Sequence, residues 1–322
     1  MTHRVLITTD YLEPGDDVDG FLREHGCTTT HAPLRGRRHR DELVALLEGV
    51  DGAIIANEPM TRQVLAAAPS LRALVRSGVG YDSVDVAAAA ELGVAVSNVP
   101  GVNANAVAEF TMGAILASSR HLVELASGVA DGRWPRTQGH ELRGATLGLI
   151  GYGEASRAVV PLARAFGMRV LCRTSVPPPP SAEGEVEFVD LDSLLRTCDV
   201  VSVHTALVPT THRLIDARAL ELMRPTALLV NTARGPIVDE TALAAAVRNG
   251  VIAGAALDVC EVEPLPADSP LRGTPGITVY SHMAGQTVEA RAAAGREAAA
   301  ELVRSLAGSP AFLVSPRAES PA

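Results

Sequence analysis

The chain has 322 residues, of which 47% are hydrophobic and 20% are charged, and its formal net charge at pH 7 is −9. The acidic balance argues against a nucleic-acid partner, and no apolar run approaches the length of a membrane-spanning helix, so we expect neither nucleic acid nor membrane as a partner. The sequence contains no lysine, so every fixed side-chain cation is an arginine, which excludes Schiff-base catalysis and a Walker-type phosphate site.

The length predicts about two domains, and the first hundred residues alternate strands with helices. This alternation is typical of a parallel sheet with crossover helices. The predicted strands cover 5–8, 53–56, 73–77 and 95–97, and the predicted helices cover 18–25, 40–47, 61–67 and 84–92. A basic run lies within this region, and we interpret it as a solvated loop, with phosphate binding as a second option. It consists of Arg35, Arg37, Arg38 and Arg40.

Two predicted helices, 104–118 and 121–132, lead into a second alternating region. Its strands are predicted at 146–150, 168–172, 199–203, 227–231, 252–257 and 277–280. Four prolines at 177–180 predict a surface loop. The final helix, 288–306, follows the last strand, and we expect it to return to the N-terminal domain. That domain would then be discontinuous.

The segment LGLIGYGEASR at 147–157 predicts a dinucleotide site. Gly151 permits a tight turn, and Gly153 lets the backbone approach a pyrophosphate at the N-terminus of the next helix, 155–166. An ordinary strand–turn–helix without a ligand is the alternative, but the helix and the strand that follows complete the βαβ unit that this fingerprint requires. Ser156 replaces the third glycine of the fingerprint, so we expect reduced affinity for the cofactor.

Three side chains that can carry chemistry follow predicted strands of this region: Arg234, Glu263 and His282. In an open α/β sheet, ligands bind outside the carboxyl ends of the strands, so we expect all three in the same crevice as the glycine turn. Taken singly, each has an ordinary alternative as a surface arginine, a solvated loop acid or a strand-end histidine. Their joint placement favours a functional site.

Several further motifs follow one another along nearly the whole chain. They are SGVGYDSVDV at 77–86, GVNANAVAEFT at 101–111, ELRGATLGLIGYG at 141–153, VSVHTALVPTTHRLI at 201–215, NTARGPIVDE at 231–240, ALDVCEVEPLP at 256–266 and SHMAGQT at 281–287. In this order they resemble the D-isomer-specific 2-hydroxyacid dehydrogenases, a family that includes phosphoglycerate dehydrogenase and the glyoxylate and hydroxypyruvate reductases.

The resemblance implies an α/β fold of two doubly wound parallel-sheet domains. A Rossmann NAD(P)-binding domain, residues 99–287, is expected to be inserted into a discontinuous, flavodoxin-like substrate domain formed by residues 1–98 and 288–322. The implied reaction moves a hydride between NAD(P)(H) and C2 of a small 2-keto or 2-hydroxy acid.

The resemblance also implies catalytic roles that agree with the chemistry of the residues. His282 is expected to be the general acid/base, because histidine changes charge near physiological pH. Glu263 is expected to hold the imidazole and favour its protonated form. Arg234 is expected to bind the substrate carboxylate with its fixed fork of donors.

A glycine-rich loop is expected to complete the carboxylate site, through the backbone amides of Gly78, Val79 and Gly80. Glycine suits this position because no side chain blocks the approach of a ligand. Arg76 precedes the loop. It either meets a second anionic group on the substrate or faces solvent.

The cofactor preference depends on Thr174, which lies 23 residues after Gly151. An acid at about this place would accept hydrogen bonds from the ribose of NAD and repel a 2′-phosphate. Threonine does neither, and Arg173 offers a cation, so NADP is slightly favoured over NAD. The residues expected to border the cofactor are Gly151, Tyr152, Gly153, Glu154, Ala155, Arg173, Thr174, His204, Thr205, Ala233, Asp258 and Gly285.

Two alternatives stay open. Transcriptional corepressors that resemble this family would make the chain a nucleotide-sensing scaffold without turnover, although its acidic charge and short tails argue against that function. Formate-oxidising relatives carry glutamine as the histidine's partner, so Glu263 argues against that branch. We expect a homodimer and no metal, and four scattered cysteines without metal-ligand spacing predict reduced thiols and a cytoplasmic location.

Overall fold

The computed structural model describes residues 2–33, 40–176 and 184–315. The proline run at 177–180 and three of the four arginines of the basic run, Arg35, Arg37 and Arg38, lie outside these residues. Arg40 is described, and it begins a helix.

The chain divides into two units. The first unit comprises Met1–Asn103 together with Val288–Ala322, and the second comprises Ala104–Thr287. The chain passes from the first unit to the second between residues 103 and 104, whereas the sequence predicts this boundary between residues 98 and 99. The residues between belong to the first unit, because the Val99 amide donates to the Gly78 carbonyl oxygen at 3.2 Å and Val102 packs against that unit's core.

The helices of the described residues are α1 (Asp17–Glu24), α2 (Arg40–Leu46), α3 (Arg62–Ala66), α4 (Val86–Glu91), α5 (Ala104–Ser119), α6 (Leu122–Ala130), α7 (Glu154–Ala165), α8 (Leu191–Thr197), α9 (Ala217–Leu222), α10 (Glu240–Arg248) and α11 (Val288–Leu306). Helices α8, α9 and α10 are absent from the sequence-based prediction, and the others agree with it within a few residues. The final helix has the predicted bounds, because its sequence keeps one apolar face over five turns.

The first unit contains a five-stranded parallel sheet. Its strands are β1 (His3–Ile7), β2 (Cys27–His31), β3 (Gly52–Ile55), β4 (Ala73–Arg76) and β5 (Ala95–Ser97). Their order is β2-β1-β3-β4-β5, which is the doubly wound, flavodoxin-like order and confirms the predicted fold class. The α11 helix lies on one face of this sheet, where Ala298 and Leu302 are fully buried beside Ile54 and Val75.

Strand β2 is absent from the sequence-based prediction, because its sequence CTTTH has no apolar run. It forms through pairing with β1, in register from His3 with Cys27 to Ile7 with His31. The buried carboxylate of Asp19 on α1 accepts hydrogen bonds from the Thr29 hydroxyl and the Gly15 amide. The bond from Thr29 holds the edge strand to the helix beside it, and the bond from Gly15 fixes the turn before that helix.

The second unit contains a seven-stranded parallel sheet. Its strands are β6 (Thr146–Ile150), β7 (Arg169–Arg173), β8 (Glu187–Phe188), β9 (Val200–Val203), β10 (Leu228–Asn231), β11 (Gly254–Leu257) and β12 (Ile277–Val279). Their order is β12-β11-β10-β9-β6-β7-β8, so the direction of winding reverses between β6 and β9. The crevice at such a switch point, outside the carboxyl ends of the strands, is where doubly wound sheets bind ligands.

The central strands of the second unit are buried on both faces by helices. Residues of β9, β10 and β11 are all buried, as the near-continuous apolar runs of a parallel sheet require. Two hydrophobic clusters, one containing Val201, Leu229 and Leu257 and the other containing Leu149 and Val170, form the core. Residues that leave the carboxyl ends of these strands are therefore held on a rigid sheet.

Candidate active site

Three neighbouring strands of the second unit bring the predicted reacting residues to one edge. Strand β11 pairs with β10 on one side and with β12 on the other, all in parallel. Arg234 follows β10, Glu263 lies in the loop after β11, and His282 follows β12. Parallel pairing places the three carboxyl ends side by side, so the loops that carry these residues are neighbours.

The His282 imidazole and the Glu263 carboxylate form a hydrogen-bonded pair. The Nδ1 atom of His282 lies 2.8 Å from Oε2 of Glu263, with 35% and 38% of the two side chains exposed. The other carboxylate oxygen, Oε1, accepts the Cys260 amide at 3.0 Å. The carboxylate is thus fixed at both oxygens, and the ring that it holds stays accessible.

The electrostatics of Glu263 favour its charged form. Burial alone would raise the pKa of this carboxyl group. The hydrogen bonds from His282 and the Cys260 amide, with the positive charges of His282 and Arg234, outweigh burial and lower the pKa below its ordinary value. Glu263 therefore stays ionised near neutral pH and can stabilise a protonated imidazole.

Asp258 anchors the loop that carries His282, a role that the sequence did not indicate. Its carboxylate is 2% exposed and accepts the Met283 amide at Oδ1 and the Ala284 amide at Oδ2, both at 2.8 Å. The His282 amide donates to the Asp258 carbonyl oxygen at 2.8 Å. These bonds hold His282 at a φ of +60°, which is uncommon for a side-chain-bearing residue and marks a constrained position.

The Arg234 loop is also held by its neighbours. Asn231, at the end of β10, donates to the Arg234 carbonyl oxygen at 2.9 Å and accepts the Ala233 amide at 3.0 Å. A side chain at Gly235 would overlap the backbone of Cys260, so glycine lets this loop pack directly against the loop of Glu263. The sequence signal is an asparagine at a strand end, where its side chain commonly closes a turn.

The glycine turn after β6 fits a dinucleotide. Gly151 has a φ of +102°, and a Cβ there would lie 2.7 Å from the His204 carbonyl oxygen. Gly153 caps α7 without a side-chain hydrogen bond, and nothing lies within 4 Å of the place where its Cβ would be. Open backbone at a helix N-terminus accommodates a pyrophosphate. Ser156, at the third fingerprint position, is fully buried.

Other predicted cofactor residues surround this turn in the second unit. Tyr152 packs edge-on against Phe188, with ring centroids 5.2 Å apart, and Glu154 pairs with Arg157 one turn further along α7. His204 follows β9, and burial lowers its pKa to about 4. Its imidazole is therefore uncharged near neutral pH, and its Nε2 lies 2.8 Å from the Ser202 hydroxyl.

The two residues that bear on cofactor choice end strand β7. Arg173 is its last residue, and the Thr174 hydroxyl bonds to the Val176 amide and carbonyl oxygen, both at 3.2 Å. Thr174 thus closes a short turn of its own.

The predicted substrate loop of the first unit follows β4. The Gly78 amide donates to the Arg76 carbonyl oxygen at 2.8 Å. One of the three amides expected to bind a carboxylate is therefore engaged within the loop. The Arg76 guanidinium donates to Asn57 Oδ1 at 2.5 Å and lies against Gly78, where a Cβ would come within 2.8 Å of it.

Within residues 2–33, 40–176 and 184–315, no cluster of three or more histidine, cysteine, aspartate or glutamate side chains could hold a metal ion. None of the helices in the described part of the chain has both the length and the apolar character needed to cross a membrane. All four cysteines are free and buried.

Comparison with known proteins agrees with this arrangement. Residues 112–284 match the family model described as the NAD-binding domain of D-isomer-specific 2-hydroxyacid dehydrogenases. A glyoxylate reductase from Thermofilum pendens is 36% identical over 321 residues, which cover 95% of this chain and 92% of that protein. An (S)-sulfolactate dehydrogenase from Chromohalobacter salexigens is 43% identical over 272 residues, covering 83% of this chain and 87% of that protein.

Solved structures agree as well. A glyoxylate reductase from Paecilomyes thermophila superposes with a TM-score of 0.88 at 28% identity, over 97% of this chain and 98% of that one. The similarity therefore extends across both units of the fold.

Proposed function

Because the chain belongs to the D-isomer-specific 2-hydroxyacid dehydrogenase family, we propose that this NAD(P)-dependent oxidoreductase reduces a small 2-keto acid at C2, or oxidises the corresponding 2-hydroxy acid. The observation that carries the proposal is the pair of His282 Nδ1 and Glu263 Oε2 at 2.8 Å, beside the Arg234 loop. The nicotinamide supplies the hydride when it is bound, so the protein must supply the proton and hold the acid.

His282 is the proton donor in this proposal. Its Nδ1 is engaged by Glu263, so Nε2 is the nitrogen that delivers a proton to the keto oxygen as C2 is reduced. In the reverse direction the same nitrogen accepts the hydroxyl proton. Glu263 stabilises the imidazolium that each cycle requires.

Arg234 binds the substrate carboxylate and polarises the adjacent carbonyl. Its guanidinium offers a fork of donors that matches a carboxylate. By the family resemblance, amides of the loop Gly78, Val79 and Gly80 also bind a substrate carboxylate. Because the Gly78 amide already donates to the Arg76 carbonyl oxygen, the amides of Val79 and Gly80 are the better candidates for this contact.

The substrate itself can be identified with a panel of 2-keto acids. Glyoxylate and hydroxypyruvate have uncharged side groups, whereas sulfopyruvate, the keto acid that corresponds to sulfolactate, has a second anion. We propose that Arg76 binds such an anion, so turnover should be fastest with sulfopyruvate. The assay follows nicotinamide absorbance with NADH and with NADPH. Absence of turnover with every acid, together with intact cofactor binding, would favour the nucleotide-sensing scaffold.

Glu263→Gln should move the pH dependence of reduction. The glutamine amide keeps the shape of the side chain but lacks the negative charge that stabilises an imidazolium, so the pH above which kcat/KM declines should fall. The pH profile of kcat/KM at saturating cofactor measures this. Glu261→Gln is the matched control, because Glu261 faces Arg213 instead of the imidazole. An unmoved profile in Glu263→Gln would contradict the pairing.

Thr174→Asp should shift cofactor preference toward NADH. We propose that the wild-type chain accepts NADPH and slightly prefers it, because Thr174 has no charge to repel a 2′-phosphate and Arg173 adjoins it. The ratio of kcat/KM for NADPH to that for NADH should fall by about tenfold or more in the variant. Thr197→Asp, which adds the same charge at the exposed end of α8, should leave the ratio unchanged. A strong wild-type preference for NADH would refute this interpretation of Thr174.

We also propose a homodimer that forms through the apolar surface of α6 and the segment after it. Four large hydrophobic side chains are exposed there: Leu122 at 51%, Val123 at 47%, Val129 at 51% and Trp134 at 79%. Clustered exposed apolar side chains mark interaction surfaces. The molar mass in solution, measured by light scattering, distinguishes one chain from two.

The cellular location in this proposal is the cytoplasm. It is supported by the four free and buried thiols, since a reducing compartment keeps cysteines in that state.

A further inference from the structure

Ser156 is the third residue of α7 and occupies the place of the third fingerprint glycine. Its side chain is fully buried, and its hydroxyl donates to the Gly151 carbonyl oxygen at 2.7 Å, five residues earlier in the chain. The hydroxyl thus bonds to the glycine turn itself and joins the first turn of the helix to the end of β6.

Gly151 is held at both of its polar groups. Its amide donates to the Arg173 carbonyl oxygen at 2.8 Å, and its carbonyl oxygen accepts the Ser156 hydroxyl. The Cys172 thiol, at 3.7 Å from the same oxygen, is a weak donor. Ser156 is therefore the principal partner of this carbonyl among the described residues.

The conformation of Gly151 makes such a bond consequential. Glycine readily adopts the φ of +102° observed at Gly151. Glycine also has the greatest backbone freedom of any residue, so it can adopt other conformations easily. If the Gly151 carbonyl oxygen had no hydrogen-bond partner within the protein, rotation of the peptide toward another donor would be favoured. A fixed peptide keeps the turn in the one conformation that leaves the helix N-terminus open.

We propose that the Ser156 hydroxyl is a positioning group that holds the glycine turn ready for the pyrophosphate of the nicotinamide cofactor. When only part of a protein population has the binding-competent conformation, the apparent dissociation constant rises in inverse proportion to that fraction. The serine then supports cofactor affinity, contrary to the expectation of reduced affinity that follows from the altered fingerprint. This inference depends on cofactor binding and not on the identity of the keto acid.

Two variants test whether Ser156 supports cofactor affinity or reduces it. Ser156→Gly restores the glycine fingerprint, and Ser156→Ala keeps the helix propensity while it removes the hydroxyl. Both should weaken binding of NADH and of ADP-ribose by about tenfold, as measured by isothermal titration calorimetry without substrate. Adenosine has no pyrophosphate, so its affinity should not change. At saturating cofactor, kcat should stay within about twofold while KM for the cofactor rises.

Thr274→Val is the matched control. Thr274 is a buried residue of the same unit, and its hydroxyl donates to the Pro270 carbonyl oxygen at 2.8 Å. It precedes β12 and so lies at the amino edge of the sheet, away from the turn. This variant should lower Tm and leave the dissociation constant for ADP-ribose unchanged.

Tighter or equal binding of ADP-ribose by Ser156→Gly would overturn the proposal, because the missing glycine would then be the defect. Loss of Tm in Ser156→Ala with unchanged binding would also overturn it, because the bond would then serve folding alone. Since the readout is binding of ADP-ribose, failure of the proposed keto-acid reduction would leave this result intact.

Discussion

His282→Ala should lower kcat for keto-acid reduction by about a hundredfold or more, with the affinity for NADH unchanged. In the proposed mechanism His282 delivers the proton through Nε2, whereas the glycine turn and α7, where we propose that the cofactor binds, lie elsewhere in the second unit. Steady-state kinetics at the pH optimum give kcat, and calorimetry gives the dissociation constant for NADH.

The control for this variant is His140→Ala, which removes an exposed imidazole of the same unit. It should retain wild-type kcat. Near-normal turnover in His282→Ala would mean that another group provides the proton. A large loss of NADH affinity would mean that the variant disturbs the cofactor site and not the proton transfer alone.

Arg234→Lys should lose most of kcat/KM, by about a hundredfold, although the charge at the position is kept. A lysine ammonium is a point charge on a flexible stem and cannot reproduce the two parallel hydrogen bonds of a guanidinium with a carboxylate. The substrate's orientation for hydride transfer would be lost with them. Kinetics with varied keto acid at saturating cofactor measure the effect.

Arg218→Lys is the matched control, because Arg218 forms a two-bond pair with Asp192 on the exposed surface of the same unit. It should leave kcat/KM unchanged. A near-normal kcat/KM for Arg234→Lys would place recognition of the substrate carboxylate on a different cation, for which Arg76 is the first candidate.

The sequence predicts strands well where burial is complete. Strands β9, β10 and β11 have apolar runs that match their observed positions, since a strand covered by helices on both faces needs such a run. Strands β2 and β8 are edge strands of their sheets and are not predicted. Their sequences, CTTTH and EF, lack a pattern, and they form because a neighbouring strand offers unpaired hydrogen-bonding groups.

The sequence also predicts that Arg234, Glu263 and His282 follow three strands of one sheet, and the structure places them after β10, β11 and β12. The sequence does not indicate how their loops are held. The Asp258 carboxylate accepts two backbone amides of the loop that follows β12. The path of that loop depends on the left-handed conformation of His282, and no local sequence pattern predicts that conformation. Likewise, Ser156 reads as a defect in a motif, whereas its bond to Gly151 depends on the geometry of the turn.

Because the first unit consists of two separate segments of the chain, its parts are synthesised at different times. Residues 1–103 are synthesised before the second unit, yet part of one face of their sheet stays uncovered until α11, with Ala298 and Leu302, emerges after that unit. The second unit is one continuous segment and is complete earlier. The sheet of the first unit therefore exposes apolar residues such as Ile54 and Val75 while the second unit is being synthesised. Interactions that shield this face, including those with chaperones, matter most in that interval.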